Sequence, residues 1–337
     1  MTVTDTLATE RTVTHSPPPR YALAVGFAII AITVGALIAA VIQSNLAMTL
    51  LTQAVITGIL ATGVGFLIRQ NGVVSFGHAA FYGVACYVIA LAMKHSVMSA
   101  EFAIILALAL PTALAFLLGF VIVRIPGVAF SMLTLAVGQA FYEFAMKARY
   151  VTGGEDGFSV NLPSTIFGIK TAIFQSPHSM FIVSWGVLVV IVLVLTFGVT
   201  SPFGRLTAAI RENEERARFI GYGTVLPRVL VLTLSALVTA IAGVLFTLYN
   251  NFVSPDVLHW SLSGSALIMA IIGGPRLIWG PAFGAIIFFF AKDIAGDVTE
   301  HWQAIIGVIL IVVMLVLPAG LGGTLAGLWR WGGQRHG

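Results

Sequence analysis

The densest chemistry in this chain lies between residues 201 and 228, where eight of its thirty charged side chains gather. The stretch opens Ser201-Pro-Phe-Gly-Arg205 and continues Ala209-Ile-Arg-Glu-Asn-Glu-Glu-Arg-Ala-Arg218. Glu212 and Arg216 stand four residues apart, as do Glu214 and Arg218, the spacing at which opposite charges support a helical turn. Ala208, Ala217, Phe219 and Ile220 add an apolar component, and Gly221 and Gly223 end the helix this predicts. Two uses fit such a segment: a solvated helix lying along an interface, or a docking helix for a partner protein.

Elsewhere, polar groups that could do chemistry are isolated. His78 has no second histidine or carboxylate at ligand spacing, which argues against a metal site. With Ser75 and Gly77 it stands at the mouth of an apolar run. Glu143 lies near the end of its apolar segment, where a carboxylate can reach the interface. Gln53, Gln139, Asn250 and Asn251 either line a polar cavity or bridge helices. Cys86 is alone and cannot close an intrachain disulfide. Gly-x-x-x-x-Gly-Lys-[Ser/Thr] is absent, because the four lysines follow Met93, Met146, Ile169 and Ala291. The chain therefore has no phosphate loop for ATP, and any ATP with its magnesium belongs on another subunit. No cofactor, metal or catalytic residue is expected here: an intramembrane enzyme needs paired groups at working spacing, and none occur.

The elements that carry these residues follow from composition. Of 337 residues, 58% are hydrophobic and 9% charged, with a mean hydropathy of +1.01. So few charges cannot clothe a water-soluble surface, and lipid is the solvent. In lipid every backbone group must be paired within the protein, which leaves helices or closed barrels. The apolar runs are continuous rather than alternating, which selects helices. They fall at about 21–42, 46–68, 73–93, 102–123, 127–146, 179–199, 229–250, 263–274, 281–291 and 303–318. The expected fold is an all-α polytopic bundle of about ten transmembrane segments within 21–325. Flanking it are a disordered N-terminal tail at 1–20, without a signal-peptide pattern, and a C-terminal tail at 326–337.

Ten passes put both termini on one side. With that side cytoplasmic, twelve of seventeen basic residues fall inside, among them Arg69, Arg124, Arg205, Arg211, Arg228 and Arg276. Five fall outside: Lys94, Lys147, Arg149, Lys170 and Lys292. This is the positive-inside bias, so the net charge of +4 reports topology rather than nucleic-acid binding. Segments 263–274 and 281–291 are short for a 30 Å core and are separated by Gly273-Gly-Pro-Arg276. They form either two short spans or a re-entrant hairpin. Interrupted segments in matching places of two oppositely oriented halves point to a transport pathway, and five segments on each side of the middle allow such an inverted repeat.

Several stretches resemble the LivM-like membrane permeases of branched-chain amino acid type ABC importers. Gly72-Val-Val-Ser-Phe-Gly-His-Ala-Ala-Phe81 is similar to that family's glycine-serine-glycine-histidine-alanine segment. Thr134-Leu-Ala136 with Val151-Thr-Gly-Gly-Glu-Asp-Gly157 resembles its central pair of motifs. Ser201-Pro-Phe-Gly-Arg205 with Ile210-Arg-Glu-Asn213 resembles its coupling segment. Phe252-Val-Ser-Pro255, Ile272-Gly-Gly274, Gly280-Pro281, and Leu317-Pro318 with Gly320-Leu-Gly322 follow in order, so the likeness covers roughly 50–325. There are departures: Gln139 and Ser265 stand where glutamates are common, and Pro275-Arg276 replaces small residues.

The resemblance implies a type II-like importer permease in the bacterial inner membrane. Its expected partners are a second, LivH-like permease, two cytosolic ABC ATPases and an extracytoplasmic binding protein. Arg205, Arg211, Glu212, Asn213 and Arg216 are the expected coupling residues, and Ser75, His78, Gln139 and Asn250 the expected pathway residues. The cargo is a small polar solute, with amino acids ahead of aromatic or carboxylic acids, urea and short amides. Loss of two carboxylates favours an anionic or neutral ligand. An ion-driven secondary carrier is the competing class, and it would need Glu143 as its titratable group.

Overall fold

The structure, a computed structural model, describes residues 20–95 and 98–298, then 301, 304, 305, 307, 308, 311, 315 and 320–324. Apart from Arg20, the expected tails at 1–20 and 326–337 lie outside the described residues, as does most of segment 303–318. The first helices are α1 (Arg20–Val41), α2 (Asn45–Asn71), α3 (His78–Lys94), α4 (Ala100–Ile122) and α5 (Gly127–Lys147). Two single turns, α6 (Arg149–Thr152) and α7 (Ala172–Gln175), precede α8 (Pro177–Thr200). Then come α9 (Pro202–Glu212), α10 (Glu214–Phe219), α11 (Val225–Asn250), α12 (Trp260–Gly273) and α13 (Gly280–Val298).

Local chemistry sets many of these boundaries. Ser44, Ser99 and Ser201 cap α2, α4 and α9 by accepting a backbone N–H of the first turn. Pro177 and Pro202 occupy the first turns of α8 and α9, where a missing N–H costs nothing. Among the described residues, α1, α2, α4, α5, α8 and α11 are long and apolar enough to cross a membrane, while α3 and α12 are apolar but shorter.

The antiparallel pair α2 and α11 forms the buried centre. Against α11 pack α3 and α4, against α2 pack α8, α12 and α13, and α1 lies on α8. The segment α9–α10 closes one end, touching α2, α8 and α11; this is the arginine-rich end. At the far end, residues 148–176 fold over the bundle and are stapled to it by a two-residue pairing of β1 (Phe158–Ser159) with β4 (Phe252–Val253). A second small hairpin joins β2 (Thr165–Ile166) to β3 (Ile169–Lys170). The all-α expectation is amended by these two minimal sheets: connections that leave the bundle satisfy their backbone by pairing with each other.

Three expected boundaries also change. The run predicted from 73 becomes helical only at His78, because 72–77 is a non-helical stretch. The charged stretch 201–228 is not one helix: Asn213 is extended, with φ −156° and ψ 99°, and splits it. Glu212 and Arg216 lie on either side of that break, and no ion pair joins them. Its last four residues belong to α11. Finally, α13 has 19 residues and is about 29 Å long, extending well past the expected run 281–291. It folds tightly on α12: a Cβ on Gly284 would collide with Met269 O and the Gly273 backbone, so only glycine permits this approach.

Candidate functional site

The chain reverses at Gly72, which ends α2 in the left-handed region (φ 70°) and donates its N–H to Ile68 O. A Cβ there would be strained and would also meet Arg211 Cγ at 2.8 Å. Residues 73–77 then turn back into the bundle without helical structure, pinned by α5. Ser131 Oγ donates to Val74 O at 2.7 Å, and Phe76 N–H donates to Thr134 Oγ1 at 3.2 Å. Ser75 is buried and accepts the Gly77 N–H, a local turn that starts α3.

His78, the first residue of α3, is fully buried. Its Nε2 lies 2.7 Å from Ser235 Oγ of α11, and Ser235 in turn donates its single hydroxyl proton to Gly63 O of α2 at 2.6 Å. His78 therefore carries its proton on Nε2, leaving Nδ1 a buried acceptor without a partner. Gly63 is about 12 Å along α2 from Asn71, and Ser235 about 15 Å along α11 from its start. His78 thus stands at the end of its segment, as expected, but that end lies in the interior of the bundle. One residue on, Ala79 N–H donates to Ser263 Oγ at 2.8 Å, in the first turn of α12. That turn is reached by an irregular stretch, 251–259, descending from the far end. Two helices that run to opposite ends thus begin side by side inside the bundle. Their positive N-terminal ends converge there.

The expected pathway residues are only partly brought together. Ser75 and His78 share this interior joint. Gln139 lies half-buried on α5, where its Nε2 donates to Glu143 Oε1 at 3.2 Å, and Glu143 reaches Lys147 at 3.6 Å. One turn away, the Tyr142 ring meets His259 edge-on at 5.0 Å, beside the exposed Trp260. Asn250 is a bridge at the far end: it accepts Gln53 Nε2 at 3.3 Å and donates to Phe246 O. Sequence reasoning missed Ser131, Ser235 and Ser263, and named Thr134 only as part of a motif. A lone hydroxyl in an apolar helix carries no signal of the residue it bonds 57 to 184 positions away.

At the arginine-rich end, Arg211 Nη1 donates to Arg69 O, tying α9 to the last turn of α2 at 2.7 Å. Asn213 caps α10 by accepting the Arg216 N–H at 2.8 Å. Arg205, Glu212 and Arg216 are exposed, as are Phe219 and Ile220 just beyond. The residue at the centre was not among those expected. Glu214 takes Arg218 Nη2 at 2.6 Å, Thr224 Oγ1 at 2.8 Å and Arg228 Nη1 at 2.9 Å. Partial burial alone would raise the Glu214 pKa, but the Thr224 hydroxyl and the charges of Arg228 and Arg218 outweigh it and hold the carboxyl below its usual range. The i,i+4 spacing announced Arg218, whereas Arg228 is visible only once the chain folds.

Long apolar helices around two interrupted ones define a multi-pass helical membrane protein. The sequence model of the family described as branched-chain amino acid transport system, permease component, matches residues 46–315, and the chain belongs to that family. It is 24% identical over 290 residues to the high-affinity branched-chain amino acid transport system permease protein LivM of Salmonella typhimurium, covering 80% of this chain and 68% of that protein. The Escherichia coli protein of the same name is 25% identical over the same shares. A probable branched-chain amino acid transport permease protein LivM of Methanocaldococcus jannaschii is 24% identical over 187 residues, 49% of this chain and 54% of its own. No solved structure matches.

Proposed function

We propose that this chain is the membrane permease subunit of an ATP-driven importer that moves a small polar solute, most simply a branched-chain or other amino acid. The observation that carries the reading is the family match across 46–315. Its assembly would comprise a second, LivH-like permease, two cytosolic ATPases and an extracytoplasmic binding protein. The arginine-rich end then faces the cytoplasm, in keeping with the positive-inside rule, and the exposed Arg205, Glu212, Arg216, Phe219 and Ile220 contact an ATPase. Arg211 and Asn213 hold that face in shape.

A bundle of about ten spans with an inverted repeat fits the same account. The unit α2–non-helical stretch–α3 has its counterpart in α11–irregular stretch–α12, running the other way. Solute passes along the side of the bundle where α5 presents Gln139 beside the α3–α12 joint. Alternation between outward-open and inward-open states is a population shift that ATP drives by binding one state better. The test is uptake into proteoliposomes holding the complete assembly. ATP-dependent uptake of a branched-chain amino acid that survives an ionophore supports the reading. Uptake that needs no ATP and collapses with the ion gradient would move the protein to the secondary carriers.

A further inference from the structure

Of the charged groups on α9 and α10, Glu214 is the one turned inward. Its side chain is 32% exposed and that of its partner Arg228 only 12%. Arg228 lies in the first turn of α11, and its own carbonyl accepts Asn71 Nδ2 from the last residue of α2 at 3.0 Å. Three chain segments therefore meet around a polar cavity of about 120 Å³, lined by Gln70, Asn71, Ile210, Arg211, Glu214 and Arg228. The two attachments of the segment are unequal. Its polar hold on α2, beside the packing of α9 on that helix, is one hydrogen bond from an exposed Arg211 to a neutral carbonyl. Its polar hold on α11 is the ion pair of Glu214 with Arg228 plus a hydrogen bond from Thr224 at that helix's start, while Arg218 braces the carboxylate from within α10; both partners of the Glu214–Arg228 bond are charged, against one in the Arg211 bond.

We propose that Glu214 is a positioning residue that makes α11, rather than α2, the helix moved when α9–α10 is displaced. This rests on the importer reading above. The consequence reaches the interior. Ser235 follows Arg228 by about 10 Å along α11, and its hydroxyl joins His78 of α3 to Gly63 of α2. A shift of α11 relative to α2 must break or re-aim that link, which loosens the start of α3 and its contact with Ser263 of α12. The path runs Glu214, Arg228, Ser235, His78, through one rigid helix and two hydrogen-bonded joints.

Glu214→Gln tests it, with Glu215→Gln, an exposed neighbour, as control. In the full chain in detergent, hydrogen exchange reads the joint without any partner. Glu214→Gln is expected to speed exchange at α10, at Val225 and Arg228, and at Ala79; acceleration confined to α10 overturns the proposal. In the complete assembly, substrate stimulation of ATP hydrolysis is expected to fall roughly tenfold, the effect of about one charge-assisted hydrogen bond lost, while Glu215→Gln matches wild type. Arg228→Lys, which keeps charge but loses the fork, should fall between and serves if Glu214→Gln assembles poorly. Stimulation at the wild-type level in Glu214→Gln overturns the proposal. A wild-type assembly that shows no ATP hydrolysis overturns the importer reading instead, and the exchange result then stands by itself.

Discussion

At the scale of single residues, the interior depends on one hydroxyl. Ser235 accepts from His78 and donates to Gly63 O, so its removal leaves His78 with neither ring nitrogen paired inside apolar surroundings. Ser235→Ala is expected to destabilise the protein by about 1–3 kcal/mol, the cost of an unmade buried hydrogen bond. Thermal unfolding of the purified chain reads this as a lowered midpoint; an unchanged midpoint would mean that the His78 link carries nothing. His78 was legible as a residue to watch, since a histidine in an apolar run invites a question. Its partner was not, because Ser235 lies 157 positions away and only the packing of α11 on α2 and α3 selects it. The same limit hid Glu214. Its helical neighbour Arg218 followed from spacing, but Arg228 is beyond the reach of any local pattern.

At the scale of elements, the long spans were readable from apolar run length to within a few residues, and the interruptions were not. Val73 and Val74 continue an apolar run, and periodicity cannot tell a buried irregular stretch from a buried helix. Asn71-Gly72 was the available signal, a left-handed cap after a basic last turn. The break at Asn213 was equally written in the residues: a capping side chain, two acids in the first turn of α10, and arginines in its last. Pairing Glu212 with Arg216 overlooked that cap. The α12–α13 hairpin yields a direct test. Gly284→Ala places a methyl against Met269 O and the Gly273 backbone, so the two helices must part. Overpacking of this kind costs about 1–3 kcal/mol. The folded yield of the variant should drop, while Gly186→Ala, which meets nothing within 4 Å, should not change it. Equal yields would show that the hairpin is looser than described.

At the scale of the whole molecule, the spans differ in what their free faces can touch. The membrane windows of α1, α4 and α8 have mean hydropathies of 2.6, 2.6 and 2.8, and their exposed side chains are chiefly apolar, as lipid requires. The window of α5 has the lowest value of the six, 1.3, and its free side carries Gln139 and Glu143. Polar groups on an uncovered span face protein or water rather than hydrocarbon, so the free side of α5 is suited to a protein neighbour or a water-filled path. That agrees with a permease that works beside a second one, and it makes composition of the assembly the decisive quantity. The measurement is the mass of the intact complex, isolated through a tag on this chain after co-expression with its genomic neighbours. The account predicts one copy of this chain with one other permease and two ATPases. A homodimer, or the chain alone and active in transport, would contradict it.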